Sequence, residues 1–277
     1  MHDPIGEVDF TRPSGARIYD YLQGGKDNFA PDREAADRIE AMFPGMSKLV
    51  QQHREFARRA AKWLHGEGVH QFVDVGCGLP LPPTVSQAVP CARVACVASD
   101  AVVLAHLRAL AAGPRVAVVA GDEADPGSVL AAPELAEVID LDEPCGVLLA
   151  GILSGMDADA ARNAVAGYSA ALPPGSAIAI SCVSYADQRA GDQAAEAYRA
   201  LTGGTYCSHS RETIRSFFEA AGLHLAQCGI SDVRAWWEPV SLAERPVAVL
   251  GAVGIVPLPS RRSNTARRSG RVPAPRS

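Results

Sequence analysis

The sequence has no apolar run approaching the roughly 18 residues that a membrane-spanning helix needs. Its longest apolar stretches, such as Val147 to Leu153 and Ala177 to Val183, are strand-sized. Its start, Met1-His2-Asp3-Pro4, has neither a basic opening nor an apolar stretch, so no secretory signal and a cytoplasmic location are expected. No C-x-x-C pair occurs among the seven cysteines (77, 91, 96, 145, 182, 207 and 228), most of which sit inside apolar runs as small buried hydrophobes would. The seven histidines show no H-E-x-x-H spacing, and no metal site is expected. Acidic residues are missing from Ser260 to Ser277, which carries six arginines; the rest of the chain bears a net charge of −11. A body that acidic is not expected to grip nucleic acid or a membrane. The tail, 258–277, is rich in Ser and Pro and reads as disordered.

The remaining sequence is that of a folded protein. With 277 residues, 48% of them hydrophobic, the chain can bury a sizeable core without disulfides or metal. Asp32 to Phe43 and Ser47 to His65 place apolar residues at helical spacing. Ala16 to Phe29 begins helix-like and breaks at Gly24-Gly25. From residue 70 short β-rich runs (71–75, 92–98, 115–120, 146–151 and 177–183) alternate with candidate helices at 101–112, 127–132, 158–171, 187–201 and 211–221. Two further runs follow at 223–229 and 247–256. Near-continuous apolar strands separated by helices indicate an α/β fold, a mostly parallel sheet with helices on both faces. Such sheets bind ligands at the carboxyl ends of their strands, near the point where strand order reverses. The division expected is a helical lid at 1–68, a sheet domain at 69–257 and the tail.

The chemistry should therefore follow Val75, Ala98, Ala120 and Gly151. After the first run comes Asp74-Val75-Gly76-Cys77-Gly78-Leu79-Pro80. Gly76 and Gly78 allow positive φ and close approach of a ligand to the backbone, and the turn is expected to open a helix whose N–H groups face the ligand. A dinucleotide fingerprint would need a third glycine, and prolines 80, 82 and 83 remove donors, so NAD is disfavoured. An acid before G-x-G suits a ligand with an amino-acid end, Asp74 orienting its ammonium; a tight turn with purely structural glycines is the alternative. Asp100, after the second run, is either a ribose acceptor or the N-cap of the next helix. Asp122 is either an acceptor for an exocyclic adenine amine or a plain loop acid. After the fourth run, Gly151 to Met156 offers only Ser154 as a reacting group.

With these residues the chain resembles a bacterial family of class I S-adenosylmethionine-dependent methyltransferases. The resemblance rests on A-R-I-Y-D-Y-L-x-G-G-K-D-N-F (Ala16 to Phe29), D-x-G-x-G-L-P (Asp74 to Pro80), Asp122 to Pro126, L-P-P-G-S (Leu172 to Ser176) and Arg234 to Pro239. It implies a Rossmann-like seven-stranded sheet with an antiparallel last strand. It also implies S-adenosylmethionine lying across Gly76, Cys77 and Gly78, with S-adenosylhomocysteine as the product. Under it, Tyr21 or Tyr19 faces the cleft from the lid, where an aromatic face attracts a sulfonium by about 0.5–2 kcal/mol. Gly25, Lys26 and Asn28 would bind the cofactor carboxylate or the substrate. Tyr19, Lys26, Ser154 and Tyr185 are the candidates for contact with the reacting groups. The acceptor implied is a small molecule, in specialised metabolism, handled by a monomer or homodimer.

Four departures from the family pattern stand out. Ala98 occupies the position of the expected ribose acid, in Val97-Ala98-Ser99-Asp100-Ala101 rather than V-D-N-D-P. Losing two hydrogen bonds to a carboxylate costs about 2–4 kcal/mol. Leu153-Ser154-Gly155 replaces L-H-F, His53-Arg54-Glu55-Phe56 replaces N-R-x-F, and Thr84-Val85-Ser86-Gln87 replaces N-V-H-E. A methyltransferase is the leading reading. A scaffold turned to a cyclase, lyase or rearrangement reaction, and a cofactor-binding module without catalysis, are the rivals.

Overall fold

The structure is a computed structural model that describes residues 9–236 and 245–258. Met1–Pro4, Trp237–Pro239 and the arginine tail from residue 259, all singled out in the sequence, lie outside the described residues.

Five parallel strands form the first part of the sheet: β1 (Gln71–Val75), β2 (Arg93–Ala98), β3 (Val116–Ala120), β4 (Gly146–Ala150) and β5 (Ala177–Tyr185). Their apolar, β-branched character fits strands covered on both sides. Side chains alternate: Phe72, Leu148 and Ala179 join one core layer, while Val73, Val75, Val147, Leu149 and Ile180 join the other. Three further strands, β6 (His224–Leu225), β7 (Ser231–Asp232) and β8 (Val247–Ile255), complete a mostly parallel eight-stranded sheet of order β3-β2-β1-β4-β5-β8-β6, with β7 also on β8. β8 runs antiparallel to β5 over nine residue pairs.

The count of seven strands is thus corrected to eight. The run expected at 223–229 does not form one strand. It breaks at a turn closed by Gly229 N–H donating to Ala226 O, with Gly229 at φ +55°. The stubs β6 and β7 flank that turn on the same strand, β8.

The helices are α1 (Gly15–Leu22), α2 (Ala30–Met42), α3 (Met46–Gly66), α4 (Val85–Ala88), α5 (Ala101–Leu110), α6 (Pro126–Leu130), α7 (Pro133–Ala136), α8 (Ala158–Ala170), α9 (Gln188–Thr202) and α10 (Arg211–Ala220), and all but the short α4 and α7 fall close to their expected places. α3 carries Leu49, Phe56, Ala57, Ala60, Ala61 and Leu64 into the same hydrophobic cluster as Phe72 and Leu148 of the sheet. At about 1.5–3 kcal/mol for each large side chain fully buried, this face anchors α3 to the sheet. The division expected at residue 68 therefore separates two elements of one core layer.

α1 and α2 instead share a small cluster with Val50: Ile18, Leu22, Ala35, Ala36 and Ile39. A buried ion pair pins them. Asp32 accepts from Arg17 Nε at 2.8 Å, from Ser14 N at 2.9 Å and from Phe29 N at 2.8 Å, and Arg17 also donates to Arg12 O at 2.7 Å. Both ions are paired and hydrogen-bonded, the condition under which buried charge is tolerated. Among the described residues no helix is long and apolar enough to cross a membrane.

Candidate active site

Strand order reverses between β1 and β4, and the chain leaves both strands on glycine corners: Gly76 at φ +65° and Gly151 at φ +85°. A Cβ on Gly76 would lie 2.7 Å from Ile152 Cδ1. One on Gly151 would lie 3.1 Å from Tyr19 Oη and 3.2 Å from His53 Cγ. Glycine is required at both, and at Gly151 its bareness lets α1 and α3 meet the sheet's edge.

Above this switch point opens a cavity of about 420 Å³, within the range of small-molecule sites. At one end it is lined by Gly76, Gly78, Ala98, Ser99, Asp100 and Glu123. At the other it is lined by α1, α2, α3 and α9 residues and by Tyr206. A smaller recess, sharing Tyr19, Gly76, Gly78 and Ala150 with the cavity, holds Asp74, Arg54, Cys77, Thr84 and Ser86. Burial pushes Asp74 up to about 7, the charge of Arg54 offsetting only part of that. A carboxyl raised by burial inside a recess is a candidate functional group.

The G-x-G corner does not lead straight into a helix. Leu79 to Pro83 run as an irregular loop, and α4 begins only at Val85, capped by Thr84 Oγ1 accepting from Gln87 N. Prolines 80, 82 and 83 supply no N–H, so a helix cannot be hydrogen-bonded there. Arg54 of α3 replaces the missing order, donating to Leu79 O at 2.8 Å and Leu81 O at 2.5 Å. The sequence marks Arg54 only as part of the N-R-x-F-like segment; its role in fixing this loop appears in the structure.

The structure sorts the expected site residues. Asp74, Gly76, Cys77, Gly78, Asp100, Gly151, Tyr19 and Ser154 line the cavity or its recess. Asp100 resolves as the N-cap of α5: Oδ1 accepts from Val102 N and Val103 N, and Oδ2 accepts from Ser14 Oγ at 3.0 Å. It thus ties the segment before α1 to the sheet.

Asp122 is not at the cavity. Its Oδ1 accepts from Ala124 N in an exposed turn, and Glu123 lines the cavity instead, receiving a hydrogen bond from Ser99 Oγ at 3.0 Å. Tyr21, Gly25, Lys26 and Asn28 are also away from it. Tyr21 donates to Asp37; Asn28 Nδ2 and Asp27 N donate to Asp20; Gly25 packs where a Cβ would strike the Asp20 carboxylate; Lys26 is exposed. The reason is local: Asp20 gathers the turn after α1 around itself. Tyr185 sits behind Tyr206, and burial raises both phenols.

His53, which the sequence marks only as a departure from the family pattern, also belongs to the site. It is buried on α3, its Nδ1 lies 2.8 Å from Ser181 Oγ of β5, and burial pushes it down to about 3. His209, by contrast, is structural, its Nε2 meeting Leu153 O at 2.9 Å.

The residues present fit S-adenosylmethionine. Gly78, at φ +68°, has nothing within 4 Å of where a Cβ would point, which leaves room for a ligand against the backbone. Asp74 supplies a carboxyl to the adjoining recess. Ala98 supplies no acid, and Ser99 with Glu123 are the polar groups beside it.

Comparison with known proteins agrees with this geometry. A candidate methyltransferase of Thermobifida fusca is 32% identical, superposes with a TM-score of 0.82 and matches over 92% of this chain and 99% of its own. A DUF574-family protein of Streptomyces avermitilis is 32% identical, with a TM-score of 0.81 over 90% of this chain and 99% of its own. No curated protein matches. A family model described as S-adenosyl methyltransferase matches residues 1–257. The switch-point cleft and this match lead to one conclusion: the chain belongs to the S-adenosyl methyltransferase family, whose cofactor is S-adenosylmethionine.

Proposed function

We propose that the protein transfers a methyl group to a small molecule held in the end of the cavity lined by α1, α2, α3 and α9. The observation that carries this is the continuity of one cavity from the glycine corner at Gly76 and Gly78 to Tyr19, His53 and Tyr206. S-adenosylmethionine, when bound, supplies an electrophilic methyl on a sulfonium. The chain's own residues then bind, orient and exclude water, which accounts for most of the catalysis such a transfer needs.

Asp74 would hold the ammonium in the recess. Ser99 and Glu123 would take the nucleoside's polar edge beside Ala98. α1 and α2 act as the lid, fixed by the Arg17–Asp32 pair and by Ser14 on Asp100, and Tyr19 presents the lid's aromatic face to the cleft. The acceptor is small because these helices cover the opening.

Thermal unfolding of the full chain with S-adenosylmethionine and S-adenosylhomocysteine tests this. A ligand at 100 times its Kd adds about 2.7 kcal/mol, a clear rise in Tm. No shift with either overturns the proposal. If S-adenosylmethionine is consumed without a methylated product, a rearrangement or lyase reaction replaces methyl transfer.

A further inference from the structure

The acceptor end of the cavity has its own chemistry. Its walls include Leu22, Ile39, Met46, Leu49 and Val50, with Tyr198 and Tyr206 tilted together at 5.7 Å between ring centroids. Among the described residues, the carboxylates that line the cavity, Asp100 and Glu123, are both at the β2–β3 end, and no lysine or arginine lines it. An acceptor bearing a carboxylate or phosphate would find no side-chain cation among these lining residues, and desolvating it is costly in so apolar a place. A cationic acceptor would face the sulfonium with equal disadvantage.

Polar groups interrupt this apolar wall, among them those of Ser154, His53 and Tyr206. Ser154 is among the residues that line the cavity, and its buried Oγ has no hydrogen-bond partner among the described residues. Such an orphan is expensive unless a ligand satisfies it. His53 is 3% exposed and also lines the cavity. Its Nδ1 is taken by Ser181 Oγ, and Nε2 meets no protein partner among the described residues. Gly151 brings the β4 corner against both the His53 ring and Tyr19 Oη.

We propose that this end of the cavity takes an uncharged, flat aromatic acceptor with one hydroxyl or N–H group, and that His53 Nε2 accepts the proton this group loses. The inference rests on the methyl-transfer reading above and names the substrate class for it. His53 carries its own proton on Nδ1, donated to Ser181 Oγ, so that Nε2 offers a lone pair. Ser154 Oγ donates to the acceptor's heteroatom. As that atom bonds the methyl carbon, the C–S electron pair stays on sulfur and the heteroatom's proton passes to Nε2.

The cavity holds one positive charge before the step and one after it. The imidazolium replaces the sulfonium, so a buried, weakly basic histidine suffices. It returns the proton to solvent when the product leaves.

The experiment uses the full chain saturated with S-adenosylhomocysteine and titrated calorimetrically with 2-naphthol and with 2-naphthoate. The neutral naphthol is expected to bind at least roughly tenfold tighter than the anion. In nitrogen-15 spectra of the imidazole, naphthol is expected to move the His53 Nε2 signal and leave Nδ1 protonated. Ser154→Ala is expected to weaken naphthol roughly tenfold while S-adenosylhomocysteine affinity stays within about threefold. His53→Gln is expected to lose the naphthol-induced change with the same cofactor affinity. Cofactor binding with naphthol no tighter than naphthoate, or with an unmoved Nε2 signal, overturns this inference and leaves the methyl-transfer reading standing. Failure of the cofactor itself to bind overturns both.

Discussion

Asp74→Asn isolates the charge at the heart of the recess. In the empty protein burial pushes the Asp74 carboxyl up to about 7, against about 3.9 in an unfolded chain. Between those pH values the folded state keeps a proton that the unfolded state has lost. Stability therefore falls as pH rises from about 4 to about 7, by at most about 4 kcal/mol. Asp74 is half-buried, and cleft water lowers that ceiling. The substituted amide has nothing to ionise, so the variant is expected to gain on the wild type as pH rises, with the full difference above pH 7. Urea unfolding at pH 4.5 and pH 8 reads it directly, because every other titrating group is shared.

The same carboxylate predicts the opposite trend for ligand binding. If the ammonium of S-adenosylhomocysteine lowers the bound pKa below 5, affinity follows the ionised fraction of the free protein. That fraction rises about 50-fold between pH 5 and 7, or about 2.3 kcal/mol. The Asp74→Asn substitution removes the slope and leaves binding weak throughout. A wild type whose stability and affinity change with pH no differently from the variant's refutes the assignment of Asp74.

Other perturbations bear on the frame around it. Gly76→Ala places a Cβ 2.7 Å from Ile152 Cδ1 at φ +65°; a loss of about 1–3 kcal/mol in thermal unfolding, with weaker S-adenosylhomocysteine binding, is expected. Asp32→Ala leaves Arg17 buried without its partner and is expected to cost about 3–5 kcal/mol in urea unfolding. Glu123→Ala is expected to weaken S-adenosylhomocysteine roughly tenfold by calorimetry, whereas Asp122→Ala leaves it within about twofold. Arg54→Lys loses the fork on two carbonyls and is expected to speed proteolysis in the loop 79–83 before it lowers global stability.

Much of the fold was legible because its elements are locally consistent. The strands VAVVA and GVLLA have a composition that only a sheet covered on both faces would bury. The helices follow their caps: Asp100, Asp157, Asp187 and Ser210 each accept from the backbone at their helix's start. The broken strand at β6 and β7 was not legible, because Leu223 to Gly229 is apolar enough for a strand and only the Gly229 turn interrupts it.

The site was legible where backbone conformation dictated residue type, as at Gly76, Gly78 and Gly151. It was illegible where direction mattered. Asp122 and Glu123 are neighbours in one loop, and the turn that Asp122 closes points one inward and the other out. Tyr19 and Tyr21 differ by two positions on α1, and the packing of that helix on α2 and α3 decides which meets the cleft. His53 left two signals in the sequence: a departure from the family's N-R-x-F pattern, and a polar residue within the apolar stripe Leu49, Val50, Phe56 and Ala57. Periodicity shows that it is buried, and only its meeting with Ser181, 128 residues away, shows what it could do.

The sequence alone determined the layered α/β plan and the glycine corners, because apolar periodicity and positive φ are local demands that a residue meets or fails by itself. The tertiary structure decided which polar groups share the cavity. Strands β1, β4 and β5 and helices α1 and α3 come together only when the sheet closes, and hydrogen-bond partners distant in sequence leave no local mark.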